Sequence, residues 1–292
     1  MPSSAFWKSG VTQEDPNSIR NIYQKKFDIS PRTKIATAGS CFAQHISKHL
    51  LETGYQVIEE EKGPPNMSSD FYQKYGFSTY SARYGNIYTV KQLLQLAQEV
   101  AKEREPKNYI WEKNGKYFDA LRPSIEPNGF DYEKEVVDHR IFHIEKVKNV
   151  FKKMNLFIFT LGLTEMWVHK ESQTVYPTAP GTLAGKYDEN LYEFKNAGFR
   201  EIIQDFKTFI STVIKIRGGK RFKIILTVSP VPLTATASGK HVLLSTFHSK
   251  SILRATAGEL SKNINIDYFP SYEIVNNPKL YSSGFKENLR SV

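Results

Sequence analysis

The chain has 292 residues, of which 40% are hydrophobic, enough to bury a substantial core, and a formal net charge of +10. No window approaches the roughly 18 consecutive apolar residues of a membrane helix, and the polar start "MPSSAFWKSG" lacks a signal peptide's apolar run, so a cytoplasmic protein is expected. A single cysteine excludes an intramolecular disulfide framework and a cysteine zinc site. The positive charge is scattered through short groups such as "KVKNVFKK", which suits a surface attractive to anions, and no nucleic-acid motif accompanies it.

Residues 1–29 read as an N-terminal extension. The unbroken run "TKIATAG" (33–39) then predicts a buried strand, followed by a helix over 42–53 and a second strand, "YQVIEE" (55–60). An insertion from 61 to about 155 holds "SARYGNIYT", a helix over 89–104 with Leu93, Leu94, Leu96 and Val100 on one stripe, and a helix over 140–154. Strands "LFIFTLG" (156–162), "FKIILTVS" (222–229) and "INIDYF" (264–269) follow, with helices over 199–216 and 245–262 and a second insertion over 167–198. Strand alternating with helix predicts right-handed crossovers, hence a three-layer α/β/α domain over 30–292 around a five-stranded parallel sheet. In such folds ligands bind beyond the carboxyl ends of the strands.

That rule singles out "GSC". Cys41 falls where the first strand turns into the first helix, and the free N–H groups and partial positive charge of a helix start favour an anion there, the setting of a reactive thiolate. Gly39 gives the turn its freedom and lets a substrate approach the backbone.

"AGSCFA" (38–43) resembles the signature of the GSCFA family, and "YSARYGNIYT", "FTLGLTEMW", "TVSPVPLTAT", "SKSILRA" and "DYFPSYEIV" are similar to its blocks, in family order. The family in turn resembles SGNH or GDSL hydrolases, which have a flavodoxin-like fold. The resemblance implies that Gly39, Ser40 and Cys41 stand where those enzymes carry Gly-Asp-Ser, so that Cys41 is the nucleophile. Were the turn offset by one residue, Ser40 would take that role; otherwise its hydroxyl or N–H would lie near the oxyanion. "YGNIYT" resembles the second block, with the Gly85 N–H and the Asn86 amide as oxyanion donors; a plain Gly-Asn turn is the alternative. "GLTE" stands where those enzymes carry Gly-x-Asn-Asp, placing Gly162, Thr164 and Glu165 at the site with the usual amide missing.

The SGNH Asp-x-x-His is also missing, since Asn288 and Ser291 occupy its positions. The proton acceptor that acyl transfer needs must come from elsewhere; His241 is the first candidate and His143 the second. His45, His49, His139, His169 and His248 complete the set. Arg83, Arg122 and Arg254 are the cations nearest the family blocks, each suited to a carboxylate or phosphate. The histidines and carboxylates show no metal-ligand spacing, so no metal is expected.

The implied function is acyl transfer, most simply O-acetylation, onto a carbohydrate or polysaccharide through the GSC turn. No permanently bound cofactor is expected, and acyl-coenzyme A is the candidate co-substrate. A carbohydrate esterase, or a non-catalytic glycan- or nucleotide-binding protein of the same fold, are the alternatives.

Overall fold

A computed structural model describes residues 1–15, 21–279 and 285–291. In chain order the first half contains β1 (Ile35–Gly39), α1 (Phe42–Glu52), α2 (Ser69–Lys74), α3 (Val90–Val100), β2 (Ile110–Lys113), β3 (Lys116–Asp119) and α4 (Glu133–Lys153). Then come β4 (Leu156–Leu161), β5 (Glu165–His169), β6 (Val175–Tyr176), β7 (Tyr192–Asn196) and α5 (Phe199–Ile216). The last stretch holds β8 (Lys223–Val228), α6 (Val242–Leu260), β9 (Ile266–Tyr268) and α7 (Ser271–Val275).

The unbroken apolar runs become a parallel sheet ordered β1-β4-β8-β9, as strands buried on both faces should. In register, Thr37 lies beside Ile158 and Ile158 beside Ile225; one row further on, Gly39, Thr160 and Thr227 align. One face carries Ala36, Ala38, Phe157, Phe159, Ile224 and Leu226 into the main core, where Phe206 and Phe209 of α5 are fully buried. Burial of each such ring stabilises by about 1.5–3 kcal/mol. The other face packs Ile35, Ile158 and Ile225 against Ile46 and Leu50 of α1, then changes from isoleucine to threonine toward the carboxyl ends.

The sheet has four strands, not the five expected. Residues 55–60 contribute one parallel bridge, Val57 opposite Ile35, with Ile35 N–H donating to Gln56 O at 2.9 Å and Ile58 N–H to Ile35 O at 2.8 Å. The next outward-facing groups of β1 are already taken. Thr37 N–H donates to Ser81 Oγ at 2.9 Å, Ser81 N–H donates to Thr37 O at 3.4 Å, and Ile87 N–H donates to Gly39 O at 2.9 Å. Local apolar pattern cannot register such a competitor from outside the run.

The helix expected over 140–154 starts earlier, at Glu133, because Glu135 turns back to accept the N–H groups of Asp131 and Tyr132 at 2.9 and 3.1 Å, as a capping carboxylate does. His139 and His143 therefore sit well inside α4, not at its start. The second insertion folds as an antiparallel sheet ordered β6-β5-β7, and β2 and β3 form a hairpin in the first. The N-terminal segment docks on the far edge, where the Tyr23 hydroxyl and the Lys26 N–H both donate to Asp267 Oδ2 at 2.8 Å. Lys26 Nζ also donates to Ile266 O. No helix of the described residues is long and apolar enough to cross a membrane.

Candidate functional site

Gly39 closes β1 with φ +145°, and a Cβ there would meet Thr160 O at 2.7 Å. Only glycine permits this approach of β1 to β4. The chain then turns through Ser40 into α1, with Cys41 as its half-buried N-cap. Ser40 is buried and its Oγ has no partner, while its carbonyl accepts the Ala43 N–H at 2.8 Å and lies 3.0 Å from the Tyr80 hydroxyl.

Ser40 and Cys41 open onto a cleft of about 480 Å³ beyond the carboxyl ends of the strands, where the topology places ligands. Trp167, Tyr176 and Phe194 of the β5-centred sheet line it from one side, and the loop after β8, with Leu233, from another. A helix cap sets a further part of the lining. Thr89 and Gln92 form a capping box at the start of α3, and Gln92 Oε1 also accepts the Tyr88 N–H at 3.0 Å, so Tyr88, Thr89 and Gln92 all border the cleft.

Lys250 lies in the same lining. It occupies the buried stripe of α6 with Leu253, Ala257 and Leu260, a three-and-four spacing that would ordinarily hold apolar residues. The residue is 1% exposed and its ammonium donates to Gly162 O at 2.8 Å; no carboxylate among the described residues pairs with it. Burial pushes its pKa down to about 7; the Cys41 thiolate opposes this and the Arg290 charge adds to it. An amine that is partly neutral near pH 7 is a proton acceptor within electrostatic reach of the thiol. Among the described residues Glu165 is the only acidic side chain of the cleft lining; burial pushes its carboxyl up, and Thr236 Oγ1 donates to it at 2.8 Å.

Of the residues singled out in the sequence, Cys41, Ser40, Gly162 and Glu165 share this cleft, and Gly39 shapes its floor. Gly162 packs against Ser40 and the Tyr88 backbone with no room for a Cβ, but its N–H and that of Leu163 both donate to Tyr88 O, at 3.2 and 2.9 Å. Gly85, Asn86 and Thr164 lie outside the lining. Gly85 adopts φ +65°, and Asn86 bridges two rings, accepting from the Tyr80 hydroxyl at 2.8 Å and donating to the Tyr88 hydroxyl at 3.0 Å. Thr164 is fully buried, with its N–H donating to Ser249 Oγ at 3.1 Å.

The histidine candidates also lie outside the lining. His241 is exposed and caps α6, its Nδ1 accepting the Leu243 N–H at 3.2 Å. His45 and His49 are exposed on α1, and buried His169 accepts the Ser172 N–H at 3.3 Å. His143 is buried beneath the first insertion, its Nδ1 2.6 Å from Glu61 Oε2. Burial, together with the charge of Arg122, pushes its pKa down to about 4, so near neutral pH it is an uncharged donor to Glu61.

That contact belongs to a network in which three guanidiniums face four carboxylates: Arg83 with Glu126, Arg122 with Asp119 and Glu61, and Arg140 with Asp119 and Glu99. Arg83 also donates to Tyr75 O and Ile125 O at 2.8 Å and stacks 3.9 Å from the Phe77 ring. Burial alone would raise the carboxyl pKa of Asp119 and Glu61. The charges of Arg140 and Arg122 on Asp119, and on Glu61 the charge that His143 gains in acid together with its hydrogen bond and the Arg122 charge, reverse that and hold both below their usual values. Arg83 and Arg122 are thus committed to packing the insertion, and Arg254 to Glu273 and the Tyr268 ring.

No curated protein and no solved structure matches the chain. A family model does: it spans residues 34–292, from the strand before the GSC turn to the tail that brings Arg290 to the cleft, and on that match the chain belongs to the GSCFA family.

Proposed function

We propose that the chain transfers an acyl group to a carbohydrate hydroxyl through Cys41, with Lys250 as the proton carrier. The observation that carries this reading is a buried lysine without a carboxylate partner among the described residues, its proton affinity lowered to the neutral range, in the same cleft as the only thiol of the chain. Neutral Lys250 takes the Sγ proton; the thiolate attacks the donor carbonyl, a C–S bond forms, and the donor's leaving group departs with the proton from Lys250. In the second half, the acceptor hydroxyl gives its proton to Lys250 as its oxygen attacks the thioester, and the thiol is restored. A thioester donor such as acyl-coenzyme A exchanges with a thiol at little free-energy cost, which favours transfer over hydrolysis. The aromatic walls of Trp167, Tyr176 and Phe194 offer flat apolar faces of the kind sugar rings pack against.

The engagement of the Gly162 and Leu163 N–H groups by Tyr88 O favours a second reading, a glycan- or nucleotide-binding protein without chemistry, because it removes two oxyanion donors. Intact-protein mass spectrometry after incubation with acetyl-coenzyme A, and separately with an activated acetyl ester, decides between them. One acetyl group is expected on wild type and Ser40→Ala, none on Cys41→Ala, and slower gain on Lys250→Met. No acetylation of any variant, with Cys41 also untouched by iodoacetamide, would leave the binding reading.

A further inference from the structure

Among the described residues the charged groups of the cleft are Glu165, Lys250 and Arg290. Glu165 is engaged by Thr236 and Lys250 by Gly162 O. Arg290 is different: its Nε is buried without a hydrogen-bond partner, and no carboxylate among the described residues pairs with it. The other guanidiniums of the described residues that are at least partly withdrawn from water are spoken for, Arg83, Arg122, Arg140 and Arg254 by carboxylates, and Arg104 and Arg217 by backbone oxygens. A guanidinium partly withdrawn from water without an acceptor is costly, and the cost is removed when an anion arrives.

The local backbone holds this side chain in place. Lys286 N–H donates to Ser291 O at 2.7 Å, and Asn288 Oδ1 accepts the N–H groups of Arg290 and Ser291 at 3.0 and 2.9 Å. Asn288 and Ser291, which occupy the positions of the absent Asp-x-x-His, thus close a turn that presents Arg290 to the cleft.

We propose that Arg290 is an anion-binding subsite beside Cys41, and that the substrate carries a carboxylate or phosphate group on the part held there. The subsite rests on the reading of this cleft as the site of Cys41 chemistry, and it deepens that reading. A planar guanidinium holds either oxyanion through paired N–H donors. Occupation has a further consequence at Lys250. The Arg290 charge disfavours an ammonium at Lys250, so a bound anion relieves that repulsion and draws the Cys41 proton toward the amine. Proton transfer is thereby tied to the arrival of substrate.

Because Cys41 is the only thiol, alkylation reports on this one site. The rate of Cys41 modification by anionic iodoacetate, divided by the rate with neutral iodoacetamide, is measured for wild type, Arg290→Gln and Arg290→Lys and compared with free cysteine. The ratio for wild type is expected to exceed that of free cysteine by about tenfold, since a charge-assisted contact contributes ~1.5 kcal/mol or more. It should fall to the free-cysteine value in Arg290→Gln and be partly kept in Arg290→Lys. Taking the ratio within each variant cancels any general change in folding or access. Acetate and inorganic phosphate, added separately at matched ionic strength, should compete with iodoacetate in wild type, more weakly in Arg290→Lys and not in Arg290→Gln, and the stronger competitor tells a carboxylate from a phosphate substrate. A wild-type ratio equal to that of free cysteine, or one unchanged in Arg290→Gln, overturns the subsite while leaving acyl transfer standing. Failure of both reagents to reach Cys41 overturns both.

Discussion

Two regions of this molecule bury charge, in opposite ways. Beneath the first insertion, Arg83, Arg122 and Arg140 are each matched to carboxylates. In the cleft, Lys250 and Arg290 have none among the described residues. Matched charges hold a structure in one arrangement, and an unmatched cation keeps a free-energy debt that substrate or a departing proton can relieve. The contrast separates residues that build the molecule from residues that act, although both sets are polar and buried.

The largest effect should come from breaking the matched region. Arg122→Met leaves Asp119 and Glu61 buried with too little positive charge and is expected to cost about 3–5 kcal/mol, read as a lowered urea midpoint. Lys250→Met should behave in the opposite sense and stabilise the fold at pH 7 by about 1–4 kcal/mol, since a well-packed apolar side chain replaces an unpaired cation. The pH dependence of the two stabilities sharpens this. Lys250 has a folded pKa of about 7 against an ordinary 10.5, so between those values the unfolded chain holds the extra proton. Stability of the wild type therefore rises from pH 7 toward pH 10 relative to Lys250→Met, and a difference curve that is flat or falling would refute the assignment.

Gly39→Ala forces a Cβ against Thr160 at the base of the cleft and is expected to cost about 1–3 kcal/mol and to slow Cys41 alkylation in the same measurement series. The smallest effect belongs to His241→Ala. It removes an exposed cap, should cost less than about 1 kcal/mol, and should leave the alkylation and acetylation of Cys41 at wild-type rates; a loss of acetylation would return His241 to the mechanism.

Much of the architecture was legible in the sequence because its signals are local. Runs such as "LFIFTLG" bury both faces and could only be central strands, and the GSC turn followed from a strand stopping where a helix period begins. The fifth strand failed on a distant fact, the claim of Ser81 on Thr37. The matched charges were unreadable for the same reason: Glu61 meets Arg122 and His143 only after the intervening chain has folded back. Lys250 did leave a trace, as a lysine on the stripe continued by Leu253, Ala257 and Leu260, and a search for charge out of phase with the helix period would have found it. Arg290 left none, since only the folded chain brings it to the cleft that Cys41 lines.

The margins of the sheet carry a last consequence. On β1, Ile35, Thr37 and Gly39 have their outward groups occupied by residues 56–58, Ser81 and Ile87. On β9, Ile266 N–H donates to Asn263 O, Ile266 O accepts from Lys26, and Tyr268 N–H donates to the side chain of Asp267. A sheet with its backbone groups occupied on both margins gives a second copy little to zip onto, which protects an apolar parallel core from edge-to-edge aggregation. On the β9 side part of that protection, the cover on Ile266 O, is lent by the N-terminal segment, so a chain shortened past Lys26 should fold around the same core and yet become stickier.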